Sequence, residues 1–237
     1  MKLRYVIWIG LSLIAFSRDT SGQNFINLNF EQAKIVRDTS SPYYPYAVYV
    51  SDAIPGWTIS NNFMGTNEIF YNDLSLGAPS VALFGTNSEY SPPPLDGKFS
   101  IGLYGGAPEN YPPLGVSISQ TGLIPTDAES ILFIAQGSFA TGPLLLSLGG
   151  QNISFTAIST TPDYTLYGGD ISAFAGQVEP LTFTTPAGVN NYWELDDIQF
   201  SSSPLPEPDV LSIFGIGILL FYRLKKVRHI SVRSTAV

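Results

Sequence analysis

Residues 144–158 read Leu-Leu-Leu-Ser-Leu-Gly-Gly-Gln-Asn-Ile-Ser-Phe-Thr-Ala-Ile, and this stretch decides the fold class. Two short runs rich in apolar and β-forming residues, 144–148 and 152–158, flank the pair Gly149-Gly150. Paired glycines reach the positive φ angles that a two-residue hairpin turn requires. The stretch therefore predicts two antiparallel strands joined by a tight turn.

The same pattern continues in both directions along the chain. Short runs rich in Val, Ile, Leu, Phe, Tyr and Thr alternate with Gly, Pro, Asn and Ser clusters, and no run keeps a helical apolar period for long. No internal repeat can be aligned, which disfavours a propeller or a solenoid. We therefore predict an all-β fold, a two-sheet antiparallel sandwich. The predicted strands are 25–30, 47–50, 57–60, 80–84, 99–104, 115–120, 130–136, 144–148, 152–158, 164–167, 181–184 and 192–200.

The N-terminus has the three parts of a signal peptide. Lys2 and Arg4 form a cationic region, residues 5–16 are apolar, and the small residues of 20–22 precede a cleavage point. We predict a signal peptide over residues 1–22 and a mature start at Gln23. An uncleaved N-terminal anchor is the alternative.

The C-terminus combines a proline-rich breaker, an apolar run and a basic cluster. Pro206-Glu207-Pro208 precedes the apolar residues 210–222, and four cations follow within 223–228. Thirteen apolar residues form about 20 Å of helix, whereas a bilayer core of ~30 Å needs roughly twenty residues. The segment is therefore a marginal membrane span. The cations would stay on the cytoplasmic side, which leaves everything before Pro206 outside.

This order of features in residues 204–237 resembles the PEP-CTERM sorting signal of exported bacterial proteins. The resemblance implies that Pro206, Glu207 and Pro208 are the sorting motif, recognised by a membrane transpeptidase of the exosortase type. It also implies that the protein reaches the cell surface or the extracellular matrix after passing through the membrane. A C-terminal anchor that is never cut is the alternative reading of the same residues.

The part between the two ends is strongly acidic. From Gly22 to Pro208 the chain has three basic and seventeen acidic side chains, which gives a formal charge of −14. Such a charge argues against nucleic acid and anionic lipid as partners of this part and favours solubility, neutral ligands or bound cations. The chain has no cysteine, so its stability depends on the core and not on disulfides. We predict one domain over residues 23–203.

Three short motifs of this domain resemble the jelly-roll domains of the galactose-binding-like group. They are Asn27-Leu28-Asn29-Phe30-Glu31, Ile54-Pro55-Gly56-Trp57 and Glu194-Leu195-Asp196-Asp197-Ile198. The group includes many carbohydrate-binding modules and many surface domains. The resemblance implies a jelly roll, with a structural Ca²⁺ that ties the first strand to the last through Glu31 and Asp196 or Asp197. Carboxylate and carbonyl oxygens are the ligands that Ca²⁺ prefers.

The sequence offers little for catalysis. His229 is the single histidine and lies in the basic tail, so a Ser-His-Asp triad and a zinc site are both excluded from the domain. A pair of carboxylates, as in glycoside hydrolases, remains. Glu194 and Asp196 share one face of the last predicted strand, a spacing that equally describes two ordinary charges on a solvated face. We expect the protein not to be an enzyme.

The best candidate for ligand binding is a proline-stiffened loop that contains Tyr43, Tyr44 and Tyr46. Aromatic rings stack on the apolar face of a sugar, and a stiff loop loses little entropy on binding. Tyrosines that merely cover a sheet edge are the alternative, and we expect Trp57 and Trp193 to lie in the core. Three functions remain: a non-catalytic surface or matrix protein, which we rank first, a carbohydrate-binding module for exopolysaccharide, and a glycan-active enzyme.

Overall fold

The protein folds into two β-sheets with almost no helix, which confirms the all-β sandwich. The computed structural model describes residues 23–75, 77–86, 92–106, 115–137, 142–188 and 191–205. The predicted signal peptide, the sorting motif and the C-terminal apolar segment lie outside these residues. Within them, no helix has the length and apolar character needed to cross a membrane.

The strands, numbered in chain order, form an eight-stranded and a five-stranded sheet. The larger sheet has the order β1 (Ala47–Tyr49), β3 (Glu68–Tyr71), β4 (Ser80–Gly85), β5 (Phe99–Tyr104), β13 (Tyr192–Ser201), β7 (Ser130–Gln136), β11 (Thr165–Asp170), β10 (Phe155–Thr160). The smaller has the order β2 (Thr58–Ser60), β6 (Val116–Leu123), β12 (Val178–Thr185), β8 (Leu145–Leu148), β9 (Gln151–Ile153). The described neighbours pair antiparallel except β3 and β4, which are parallel. The helices are one turn each, α1 (Val50–Ala53) and a 3-10 turn (Ser172–Phe174).

The main core lies between the two sheets and follows the two-residue alternation of the strands. Alternate residues of β6 and β12 are buried, as expected for strands with one face in a core. Phe133 of the larger sheet and Phe183 of the smaller are fully buried, with ring centroids 5.2 Å apart in an edge-to-face contact. Aromatic contacts of this kind stabilise the packing of the two sheets against each other.

The hairpin predicted from Gly149-Gly150 is confirmed. These glycines have φ angles of 59° and 76°, and Leu148 pairs with Gln151 across the turn. The run predicted as one strand over 152–158 is divided, because the chain passes from the smaller to the larger sheet at Ser154.

The predicted strand 25–30 is wrong. Asn27 and Phe30 have positive φ angles of 51° and 56°, and the segment turns instead of extending. The Asn27 side chain accepts a hydrogen bond from the backbone N–H of Gln32 at 2.9 Å, an Asn-stabilised turn that competes with strand pairing. The short strand β3 was not predicted.

The three motifs near residues 27, 57 and 198 meet in space. The indole Nε1 of Trp57 donates to the carbonyl of Asn27 at 3.0 Å, and the Phe30 and Trp57 rings lie 5.8 Å apart. The backbone N–H of Ile198 donates to the carbonyl of Leu28 at 3.0 Å. The opening segment of the domain is therefore tied directly to its last strand. Trp57 is buried in the core, as predicted.

Candidate functional site

The two acids of the last strand are buried. Leu195 lies in the core between the sheets, so its neighbours Glu194 and Asp196 point to the opposite face of the larger sheet. The alternative reading of these acids, two ordinary charges on a solvated face, is wrong, since both side chains are only 1 % exposed. The loop before β5 covers Asp196, whose carboxylate accepts the backbone N–H of Asp96 at 3.1 Å. Strand alternation gives the face of a side chain but not whether a loop covers that face.

Glu194 lies beside a second, smaller apolar cluster on the outer face of the larger sheet. Its carboxylate accepts hydrogen bonds from the hydroxyls of Ser100 and Tyr192, the latter at 3.2 Å. Tyr192 belongs to the apolar cluster, together with Phe84, at a ring distance of 6.4 Å. Glu194 is therefore enclosed by side chains that are themselves buried.

Burial changes the acidity of both groups. Burial raises the pKa of Glu194 to about 7, although the hydrogen bonds from Ser100 and Tyr192 favour the ionised form. Burial also raises the pKa of Asp196 to about 8, against the opposing effect of backbone hydrogen bonds from Asp197 and Asp96. The negative charges of Asp96 and Asp197 add to this rise. Carboxyl groups with raised pKa values occur at catalytic sites, but a catalytic acid must also reach its substrate.

Glu31 and Asp196, two of the predicted calcium ligands, hold the same loop. One carboxylate oxygen of Glu31 accepts the backbone N–H groups of Lys98 at 2.6 Å and Phe99 at 3.0 Å. Asp196 accepts the N–H of Asp96 in that loop. The third predicted ligand, Asp197, accepts the side-chain amide of Gln199 at 2.8 Å on each of its oxygens. Asp197 has a positive φ of 46°, at the bulge where β13 shifts its pairing with β7.

The calcium site stays a prediction. Among the residues that the structure describes, no group of three or more Asp, Glu, His or Cys side chains is placed to share a metal ion. The carboxylates are nevertheless of the right chemistry, and each oxygen of Asp196 and Asp197 accepts one N–H, which leaves a lone pair for a cation. Backbone carbonyl oxygens would have to supply most of the ligands around a bound Ca²⁺.

If Ca²⁺ binds the folded protein at Glu31 and Asp196 or Asp197, added Ca²⁺ should raise the melting temperature by mass action. Glu31→Ala and Asp197→Ala should remove this dependence, whereas Asp127→Ala, at an exposed acid in the turn before β7, should keep it. Melting is measured by circular dichroism in Ca²⁺ and in excess EDTA. Identical curves for the unaltered protein would rule the site out.

The loop with the three predicted ligand tyrosines is only partly available to a ligand. Tyr44 and Tyr46 are 54 % and 46 % exposed. Tyr43 instead turns inward, with its ring 5.6 Å from Phe63 and 6.0 Å from Phe70 in edge contacts. The structure therefore separates Tyr43, which packs, from the two tyrosines that face solvent.

A pocket of about 460 Å³ lies at the other end of the larger sheet, between strands β7, β11 and β13 and the turn that joins β10 to β11. We call it the Trp193 pocket. Its described lining residues are uncharged and combine aromatic with hydroxyl and amide side chains: Ala135, Gln136, Gly137, Gly142, Thr161, Pro162, Tyr164, Thr165, Tyr167 and Trp193. Neither Glu194 nor Asp196 is among them.

The aromatic wall of this pocket is fixed by its neighbours. Tyr167 stacks on Phe133 at 5.5 Å and meets Trp193 edge-on at 6.2 Å. The indole Nε1 of Trp193 donates to the carbonyl of Gly142 at 3.2 Å. Trp193, predicted to lie in the core, packs against the core with one part and lines the pocket with another.

The turn between β10 and β11, which also lines the pocket, is held by its own hydrogen bonds. The Thr161 hydroxyl donates to the carbonyl of Tyr164 at 3.0 Å and accepts the N–H of Tyr164 at 3.1 Å. The backbone N–H of Thr161 donates to the same carbonyl at 2.9 Å. Sequence reasoning missed this pocket, because its residues come from three separate strands and a turn and carry no shared motif.

Comparison with known proteins adds no identification. No protein-family model matches the chain, and no curated protein matches it.

Proposed function

We propose that this protein is an exported, non-catalytic cell-surface or extracellular-matrix protein that is sorted through its PEP-CTERM-like tail. The observation that carries the proposal is the order of features in residues 206–228, a Pro-Glu-Pro motif, a marginal apolar span and a basic cluster. An exosortase-type enzyme would be the processing partner, and the membrane would hold the chain until cleavage. The acidic charge between the ends suits a soluble domain outside the cell.

The burial of the two acids supports a non-catalytic role. Glycoside hydrolases need two carboxyl groups on either side of a substrate bond, in an open cleft. Glu194 and Asp196 are the described carboxyl groups with raised pKa values, and both are almost fully buried. They lie outside the Trp193 pocket. A glycan-active enzyme is therefore the least supported of the three functions.

The meeting of the three motifs supports the finer assignment of the sandwich as a jelly roll of the galactose-binding-like kind. Hydrogen bonds join Asn27 to Trp57 and Leu28 to Ile198, so the motifs that carry the resemblance form one structural unit. This assignment concerns fold, and fold alone does not assign a ligand.

Carbohydrate binding is the second candidate function, with exopolysaccharide as the partner. The observation that favours it is the Trp193 pocket, where three aromatic side chains accompany hydroxyl and amide groups. This composition is typical of sites that bind small polar molecules with apolar faces.

Protease treatment of intact cells tests the export proposal. The two hydrophobic ends predict that the domain lies outside, so added protease should degrade it, after permeabilisation of an outer membrane where there is one. A cytosolic protein of similar stability serves as the protected marker. Protection of the domain equal to that of the marker would contradict export.

A further inference from the structure

We propose that the Trp193 pocket binds a ring of a neutral polysaccharide, with Trp193, Tyr164 and Tyr167 as the stacking surface. This inference rests on the second proposed function, carbohydrate binding. It moves the ligand site from the loop of Tyr44 and Tyr46 to the opposite edge of the larger sheet.

The stacking surface is held in place before any ligand arrives. Tyr167 is fixed between Phe133 and Phe155, at ring distances of 5.5 Å and 5.4 Å. Trp193 is fixed by its hydrogen bond to Gly142. Rings that are already ordered lose little conformational entropy on binding, and their faces can contact the C–H groups of a pyranose. The pocket volume of about 460 Å³ lies within the range of small-ligand sites.

Polar groups stand beside these rings. Thr165 of β11 is in register with Ala135 and lies on the same sheet face as Trp193. Its hydroxyl donates to that of Thr160 at 3.2 Å, and its oxygen can still accept from a sugar hydroxyl. Gln136 also lines the pocket, but it pairs with Glu194 on the outer face, so its amide points away from Trp193. The Thr161 hydroxyl already makes two hydrogen bonds to the backbone of Tyr164, so its role is to fix the turn that contains Tyr164.

Charge selects the class of sugar. The described lining of the pocket has no ionisable acid or base that would pair with a charged ligand. The surrounding domain has a formal charge of −14, which repels an acidic polysaccharide. A neutral hexose chain needs no ionic partner in the pocket, and the negative charge of the domain does not repel it. The pocket therefore favours neutral over acidic glycans.

The test uses the full chain and four defined probes, the hexasaccharides of β-linked glucose, mannose, galactose and galacturonic acid. Binding is measured by calorimetry and by tryptophan fluorescence. We expect at least one neutral probe to bind and the galacturonate probe not to bind. Tyr164→Ala and Thr165→Val should each weaken binding about tenfold, with unchanged melting temperatures.

Two further variants assign the signal to this pocket. The chain contains Trp8, Trp57 and Trp193, so Trp193→Phe should remove the fluorescence response while calorimetry still detects binding through the retained ring. Tyr44→Ala with Tyr46→Ala, at the other end of the sheet, is the matched control and should leave affinity unchanged.

Three results would overturn the inference. Loss of binding in the Tyr44/Tyr46 variant, with normal binding in the pocket variants, would leave carbohydrate binding standing and reject the pocket. Binding of galacturonate in preference to the neutral probes would reject the neutral class. Failure of all four probes to bind would reject the inference together with the second proposed function, and would leave the export proposal, which is tested separately, unaffected.

Discussion

Raising the pH from 5 to 8 should lower the free energy of unfolding by several kcal/mol, through Glu194 and Asp196. In the folded protein their pKa values are about 7 and about 8, whereas the ordinary values are 4.5 and 3.8. Between the ordinary and the raised value, the folded state keeps a proton that the unfolded state has lost. Stability then falls with rising pH by about 1.4 kcal/mol per pH unit for each such group.

For these two acids the free energy of unfolding falls as the pH rises, whereas for a carboxylate in an ion pair it rises with pH. The stabilisation by each proton is fully present below pH 4 and is lost as the pH rises through the raised pKa. The hydrogen bonds from Ser100 and Tyr192 to Glu194, and from the backbone of Asp197 and Asp96 to Asp196, favour the ionised acids and oppose this direction, but burial outweighs them. The negative charges of Asp96 and Asp197 add to the rise of the Asp196 pKa. Ionising both acids therefore leaves buried charges without a cationic partner.

Urea unfolding at several pH values, followed by circular dichroism, measures the effect. Between pH 5 and 7 both acids contribute, so Glu194→Gln and Asp196→Asn should each reduce the slope by about half there, because neither amide titrates. Between pH 7 and 8 Asp196→Asn should remove most of the slope and Glu194→Gln should change it little. Asp127→Asn, at an exposed acid, is the matched control and should leave the slope unchanged. A free energy of unfolding that rises or stays level from pH 5 to 8 would contradict the buried, protonated state of these acids.

The second large effect concerns sorting. Replacing Pro206, Glu207 and Pro208 together by alanine should abolish processing of the tail and leave the protein in the membrane fraction. Proline fixes φ and disfavours helix in the residue before it, so the motif should present Glu207 extended just outside the membrane. Alanines would allow the helix predicted over residues 210–222 to continue into the cleavage region.

Immunoblotting of surface and membrane fractions measures this outcome. Pro204→Ala, two residues before the motif, is the matched control because it removes a proline and keeps the motif. It should be processed normally. Equal amounts of surface protein from the triple-alanine variant and the unaltered chain would show that the motif is not the sorting element.

The fold class could be predicted from the sequence because alternation and turn chemistry act locally. Gly149-Gly150 predicts its hairpin, since the required positive φ angles follow from the residue type alone. The segment 25–30 could not be predicted in the same way. Its apolar residues look like a strand, but the side chain of Asn27 bonds to the backbone of Gln32 and favours a turn. The hydrogen bond between Ile198 and Leu28 joins residues far apart in the chain, so it depends on the order of the strands and not on a local pattern.

The candidate site was less predictable than the fold. Glu194 and Asp196 were identified as a pair on one face, but a loop about a hundred residues earlier in the chain covers Asp196, and Ser100 and the cluster that contains Tyr192 enclose Glu194. The Trp193 pocket depends on the register of β7 with β11 and β13, which no local pattern specifies. Tyrosines close together in sequence were easier to notice, yet Tyr43 packs inward.

The intact mass of the protein recovered from the cell surface tests both export and sorting through the tail. We expect a chain that begins near Gln23 and ends within or close to the Pro206–Pro208 motif, without the apolar segment and the basic cluster. A surface form that still ends at Val237 would contradict sorting by cleavage, and a protein recovered with Met1 intact from the cytosol would contradict export itself.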